Sequence, residues 1–101
     1  MKEDESDIAE RLLSRFLGTA SSSVLEALAS EGVECSRVVS LNEPGAFRNR
    51  EIDENSRFLV SCDMGSYRQF IIYKVYVRAY LFFDHEQHLV DAIVVKLPEI
   101  G

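Results

Sequence analysis

The stretch "YRQFIIYKVYVRAYLFF", residues 67–83, decides the fold. Apolar and amphipathic positions alternate through it. Ile71, Tyr73, Val75, Val77, Ala79, Leu81 and Phe83 fall on one face; Phe70, Ile72, Lys74, Tyr76, Arg78, Tyr80 and Phe82 fall on the other. A period of two in β-branched and aromatic residues is a strand signal. The first face reads as core. The second mixes aromatics with two cations. As a single strand the stretch is long, so a bend or bulge is expected within it.

Upstream, "RFLVSC" (57–62) reads as a strand, and "DMGS" (63–66) as the turn joining it to the long one, with Gly65 free to take positive φ. Downstream, "LVDAIVV" (89–95) closes the sheet before Pro98. Val33, Cys35, Val38, Val39 and Leu41 suggest a first strand. Between it and the second lies "NEPGAFRNREIDENS" (42–56), whose Pro, Gly and Asn among charges spell a long loop. Phe47 and Ile52 are its candidate anchors.

The N-terminal third changes period. In "DIAERLLSRFL" (7–17), Ile8, Leu12 and Phe16, beside Ala9, Leu13 and Leu17, make one helical stripe. Asp7 is the expected N-cap and Gly18 the stop. Ser23 with Glu26 fits a capping box for a second helix, with Val24, Leu25 and Leu28 inward and Gly32 at its end. The fold class expected is α+β: an N-terminal helix hairpin packed on one face of an antiparallel four-stranded meander sheet. One domain accounts for residues 1–101, with a disordered tail over 1–6.

Composition narrows function. The formal net charge is −6 and the second helix holds no Lys or Arg, so no nucleic-acid partner is expected. No apolar run is long enough for a bilayer span. The acidic start "MKEDESD" does not resemble a signal peptide, which places the protein in the cytoplasm if Met1 is native, and otherwise leaves an exported mature segment. The two cysteines, Cys35 and Cys62, lie in segments that neighbour in a sheet; they pair in an oxidising compartment and are plain buried thiols in the cytosol.

"DHEQH" (84–88) holds both histidines, His85 and His88, among carboxylates. It falls between two strand runs, and Asp84 suits a first turn position. A zinc site needs three or four converging ligands, and HEQH is not HExxH. The turn reading is adopted, and no metal or cofactor is expected. No nucleophile elbow, CxxC or glycine-rich phosphate loop occurs, so no catalytic residue is assigned and no enzyme is expected. The amphipathic strand face, Phe70, Ile72, Lys74, Tyr76, Arg78, Tyr80 and Phe82, has the composition of a protein interface. Its plain alternative is cross-strand packing beneath Lys and Arg stems.

The order of "LGTASSSVLEALASEGVEC" (17–35), a loop, "FLVSC" (58–62) and "VYVRAYLFFDHEQHLVDAIVVK" (75–96) resembles small bacterial outer-membrane lipoproteins of the lipoprotein A type. It is also similar to the repeat unit of the beta-lactamase-inhibitor-protein fold. Gly18, Ser21, Ser22, Ser23, Val24, Leu28 and Gly32 match the helix segment. Phe83, Asp84, Leu89, Ile93 and Val95 approximate the hairpin, although the turn glycine is absent and His88 stands near its place. The resemblance implies an exported, non-enzymatic domain that binds other proteins, and it favours a Cys35–Cys62 disulfide. No lipobox cysteine is present, so membrane anchoring is unsupported. The expectation is a periplasmic protein-binding domain docking through the aromatic sheet face, a homodimer included among its assemblies. The alternative is an inhibitor or immunity-type protein that occludes an enzyme or toxin, with acidic groups of the 42–56 loop or the sheet face.

Overall fold

A computed structural model describes residues 5–42, 45–48, 50–68 and 73–100. Among the described residues two helices, α1 (Glu5–Phe16) and α2 (Ser21–Ser30), precede seven strands: β1 (Glu34–Cys35), β2 (Val39–Ser40), β3 (Ala46–Phe47), β4 (Arg50–Glu51), β5 (Phe58–Arg68), β6 (Tyr73–Phe83) and β7 (Leu89–Ile100). The main sheet is antiparallel in the order β1-β5-β6-β7, with β2 also on β5; β3 and β4 pair with each other. The α+β class and the helix hairpin on a meander sheet hold.

The register corrects the reading of 67–83 as one strand. Tyr67 pairs with Val75 and Arg68 with Lys74, so the chain reverses between Arg68 and Tyr73. "DMGS" is not the turn. It is a bulge inside β5, where the register shifts between Asp63 and Gly65. Gly65 takes φ 103°, and its N–H donates to Asp63 Oδ1 at 3.0 Å. An Asp–x–Gly step serves a bulge as well as a turn, because both need a left-handed residue and a local acceptor. The first expected strand is likewise two short pieces, β1 and β2. Between them Ser36 bridges to β5: its N–H donates to Ser61 O, and its Oγ accepts from Ser61 N–H.

Both helix starts differ from expectation. α1 already runs at Glu5, so Asp7 lies inside the first turn rather than at its cap, and Glu5 and Ser6 belong to the helix rather than a tail. α2 begins at Ser21, which puts Ser23 inside it; Ala20 occupies the cap and makes no side-chain cap bond. The β6–β7 turn does the capping instead. Ser21 N–H donates to Gln87 O and its Oγ to Gln87 Oε1, both at 2.8 Å, while Gly18 N–H donates to Leu89 O and Leu89 N–H to Thr19 O. Gly18 and Gly32 take φ of 78° and 83° at the two stops. The apolar stripe of α1 ends just before its stop, since Leu17 is 63% exposed. An Arg15–Glu31 ion pair joins the C-terminal ends of the two helices. Among the described residues no helix is long and apolar enough to cross a membrane.

The helices cover one sheet face. Leu12, Phe16, Val24 and Leu28 pack on Val60 and Cys62 of β5, Val77, Ala79, Leu81 and Phe83 of β6, and Leu89, Ala92 and Val94 of β7. The assignment of β6 faces holds on this side. Val77 is 8% exposed whereas its neighbour Arg78 is exposed. Val77→Asp therefore strands an unpaired charge in the core and should cost more than about 3 kcal/mol. Arg78→Ala should cost less than about 1 kcal/mol. Urea unfolding of both variants checks this; similar midpoints would mean the faces are assigned the wrong way round.

Candidate docking surface

The second face of β6 is not open along its length. The described residues of 42–56 (42, 45–48 and 50–56) cross it as a strap. β3 and β4 form a small hairpin, with Ala46 opposite Glu51 and Phe47 opposite Arg50. Ile52 N–H donates to Gly45 O at its base. A two-residue ladder has little stability of its own, so side chains must hold it down. Phe47 does so, its ring tilted against Tyr80 at 5.0 Å and edge-on to Phe82 at 5.3 Å. Ile52 joins Tyr80, Phe82 and Ile93 in a second buried cluster, with Leu41, Leu59, Val90 and Val95 packed around it. The anchoring role expected of Phe47 and Ile52 holds.

Hydrogen bonds secure the return of the strap. Asp53 N–H donates to Asp91 Oδ2 of β7 at 2.8 Å, and Arg57 N–H to Phe83 O of β6 at 2.7 Å. Leu41 N–H donates to Arg57 O, closing the neck. Ser56 is fully buried there, and its Oγ finds no partner among the described residues. Arg48, in the left-handed region at φ 49°, lays its guanidinium 5.0 Å over the Tyr80 ring.

This cover corrects the expectation of a wholly exposed aromatic face. Tyr80 is 5% exposed and Phe82 0%. They are core, buried by the chain's own strap. Tyr76 is half-buried and Arg78 is exposed, beyond the strap. Lys74 enters through its register, opposite Arg68 of β5 and Glu99 of β7. Phe70 and Ile72 lie outside the described residues. What remains is a patch around Tyr76 and Arg78, flanked across the strands by Asp63 and Val95, the register partners of Arg78. A depression of about 280 Å³ beside it is lined by Asp63, Tyr76 and Arg78 and also by Val77 of the helix-covered face.

The cysteines are bonded. Cys35 of β1 faces Cys62 of β5 as a register pair and forms a disulfide across a separation of 27 residues. The histidines sit in the β6–β7 turn, and both are accessible. Glu86 stands between them, 3.7 Å from His85 Nε2 and 3.7 Å from His88 Nδ1. Among the described residues no three His, Cys, Asp or Glu side chains converge to hold a metal ion.

The turn is organised by Asp84. Its Oδ1 accepts from the N–H of His88 and of Glu86, each at 2.9 Å, while Asp84 N–H donates to His88 O. Gln87 supplies the left-handed residue at φ 61°. The sequence therefore placed Asp84 correctly, but nothing in it pointed to the bond from this turn to the start of α2.

Comparisons with protein-family models, with curated proteins and with solved structures find no match.

The His88 N–H, helped by that of Glu86 and opposed by partial burial, holds the Asp84 carboxyl below its ordinary value of 3.8. A depressed folded-state value contributes stability above the unfolded value and loses it as pH falls through the folded one. Asp84→Asn should be less stable than wild type at pH 7, and the gap should close below about pH 4. Thermal unfolding from pH 7 to pH 2.5 checks this; a gap independent of pH would show that the carboxylate charge contributes nothing to the turn.

Proposed function

We propose that this chain is a non-catalytic protein-binding domain of the bacterial envelope, docking through the uncovered end of its aromatic sheet face around Tyr76 and Arg78. The observation that carries the reading is the change of cover along β6. Phe82 and Tyr80 are sealed under the strap, whereas Tyr76 is half-buried and Arg78 exposed on the same face. A half-buried tyrosine beside an exposed arginine is the pairing enriched where interfaces concentrate their binding energy. The Cys35–Cys62 disulfide suits an oxidising compartment, and the resemblance to envelope lipoproteins and inhibitor domains points the same way. Asp63 and Val95 flank the patch, so a partner meets both charge and apolar surface.

A second reading rests on the strap. Glu51 and Glu54 are exposed on a segment anchored by Phe47 and Ile52, as an inhibitor or immunity-type protein would present acidic groups to a basic enzyme or toxin.

Photo-crosslinking separates the two. A photoreactive residue is placed at position 78 or at position 54 in the protein expressed in its native host. A discrete adduct from position 78 and none from position 54 is the expected result, whether with another envelope protein or with a second copy. An adduct from position 54 alone would transfer the function to the strap. Silence at both positions would overturn the docking proposal.

A further inference from the structure

The two covers of the sheet are held by unequal means. The strap meets the strands beneath it through Phe47, Arg48 and Ile52. The N–H groups of Asp53 and Arg57 tie it down, on Asp91 Oδ2 and Phe83 O. Its other hydrogen bonds are internal. Ile52 N–H donates to Gly45 O, Ser56 N–H to Asp53 O, Asn55 N–H to Asp53 Oδ1, and the Arg57 guanidinium to Glu54 O and Ser56 O. Those bonds hold whether or not the strap lies on the sheet.

The closed position also carries two local costs. Ser56 Oγ is buried with no partner among the described residues. A hydroxyl stranded in this way is worse placed than one in water. Arg48 is held in the left-handed region at φ 49°, where residues other than glycine are disfavoured. Lifting the strap hydrates the hydroxyl and frees the Arg48 backbone. Behind the strap the chain stays closed: Val39 pairs with Leu59, Ser40 with Phe58, and the Cys35–Cys62 disulfide lies further back along β5. A lifted strap is therefore a tethered loop, and its return costs only the closure of a short segment.

We infer that the strap opens as one unit, from the β2–β5 ladder outward, while the helices and the sheet stay folded. This is a conformational switch: it lifts Phe47 and Ile52 and turns Tyr80 and Phe82 from core into surface. The Ser56 hydroxyl, satisfied only in the open position, biases the switch towards opening. Elements with few buried contacts on the rest of a fold are the ones that open below the global free energy. The switch is a property of the chain alone and does not depend on the docking reading above.

Native-state hydrogen exchange of the full, disulfide-bonded chain in sub-denaturing urea tests it. The amides of Asp53 and Arg57, which donate from the strap to the sheet, should exchange through a shared opening. That opening should lie at lower free energy and smaller urea slope than the one that exposes Leu81 and Leu89, since the slope scales with the surface bared. Ser56→Ala should slow exchange at both strap amides about tenfold, the worth of one stranded hydroxyl. Phe47→Leu should speed it about tenfold, the worth of its ring contacts. Exchange of Asp53 and Arg57 in step with Leu81 and Leu89 at every urea concentration would overturn the inference, because the strap would then leave only by global unfolding. So would exchange independent of urea, in which single bonds break without baring the rings. Unchanged or faster exchange in Ser56→Ala would also overturn it, because the hydroxyl would then be satisfied in the closed position.

Discussion

Phe82 and Phe83 are consecutive, point to opposite faces of β6, and are both fully buried. That is the constraint on which the rest of the structure depends. A strand sealed on both sides needs two covers, and a chain of this length has few elements to supply them. The helix hairpin is one cover and the strap is the other. Each aromatic burial is worth roughly 2–3 kcal/mol against exposure, so leaving either face bare would cost a large part of a small domain's stability.

The two covers are tied down differently. The helix hairpin is stitched at its linker, where residues 18–21 exchange backbone hydrogen bonds with residues 87–89 of the β6–β7 turn. Capping of α2 and the closing of the sheet are thus one event. The strap has only a short ladder of its own, and the Cys35–Cys62 disulfide brackets it. Closing a separation of 27 residues removes about 3.5 kcal/mol of unfolded-state freedom on the chain-entropy model. The bonded residues sit on β1 and β5, so the bridge fixes the edge from which the strap departs and to which it returns.

Legibility in the sequence followed the physics of each signal. Alternation in 75–83 was readable because a strand buried on two faces still separates them residue by residue: Val77, Ala79, Leu81 and Phe83 went to the helices, Tyr80 and Phe82 to the other side. The reversal between Arg68 and Tyr73 was not readable, since residues 69–72 are Gln-Phe-Ile-Ile with no glycine, proline or asparagine to mark it. Asp63 and Gly65, which carry turn chemistry, were spent on a bulge. The capping box at Ser23 and Glu26 failed because α2 starts at Ser21, whose N–H and Oγ donate to Gln87 in place of a local cap. As for the candidate surface, Phe47 and Ile52 were recognisable as anchors, but a linear pattern does not say where an anchor lands. Their landing on Tyr80 and Phe82 cut the expected seven-residue face back to its Tyr76 end.

The central claim, that Phe47 of the strap closes the second face of β6 over Tyr80 and Phe82, is tested most directly by nuclear Overhauser contacts between aromatic rings in solution. The account predicts cross-peaks from the Phe47 ring to both Tyr80 and Phe82, with the amides of Tyr80 and Phe82 slow to exchange. Absence of those cross-peaks, with the Phe47 ring shifts at random-coil values, would contradict it and return the whole aromatic face to solvent.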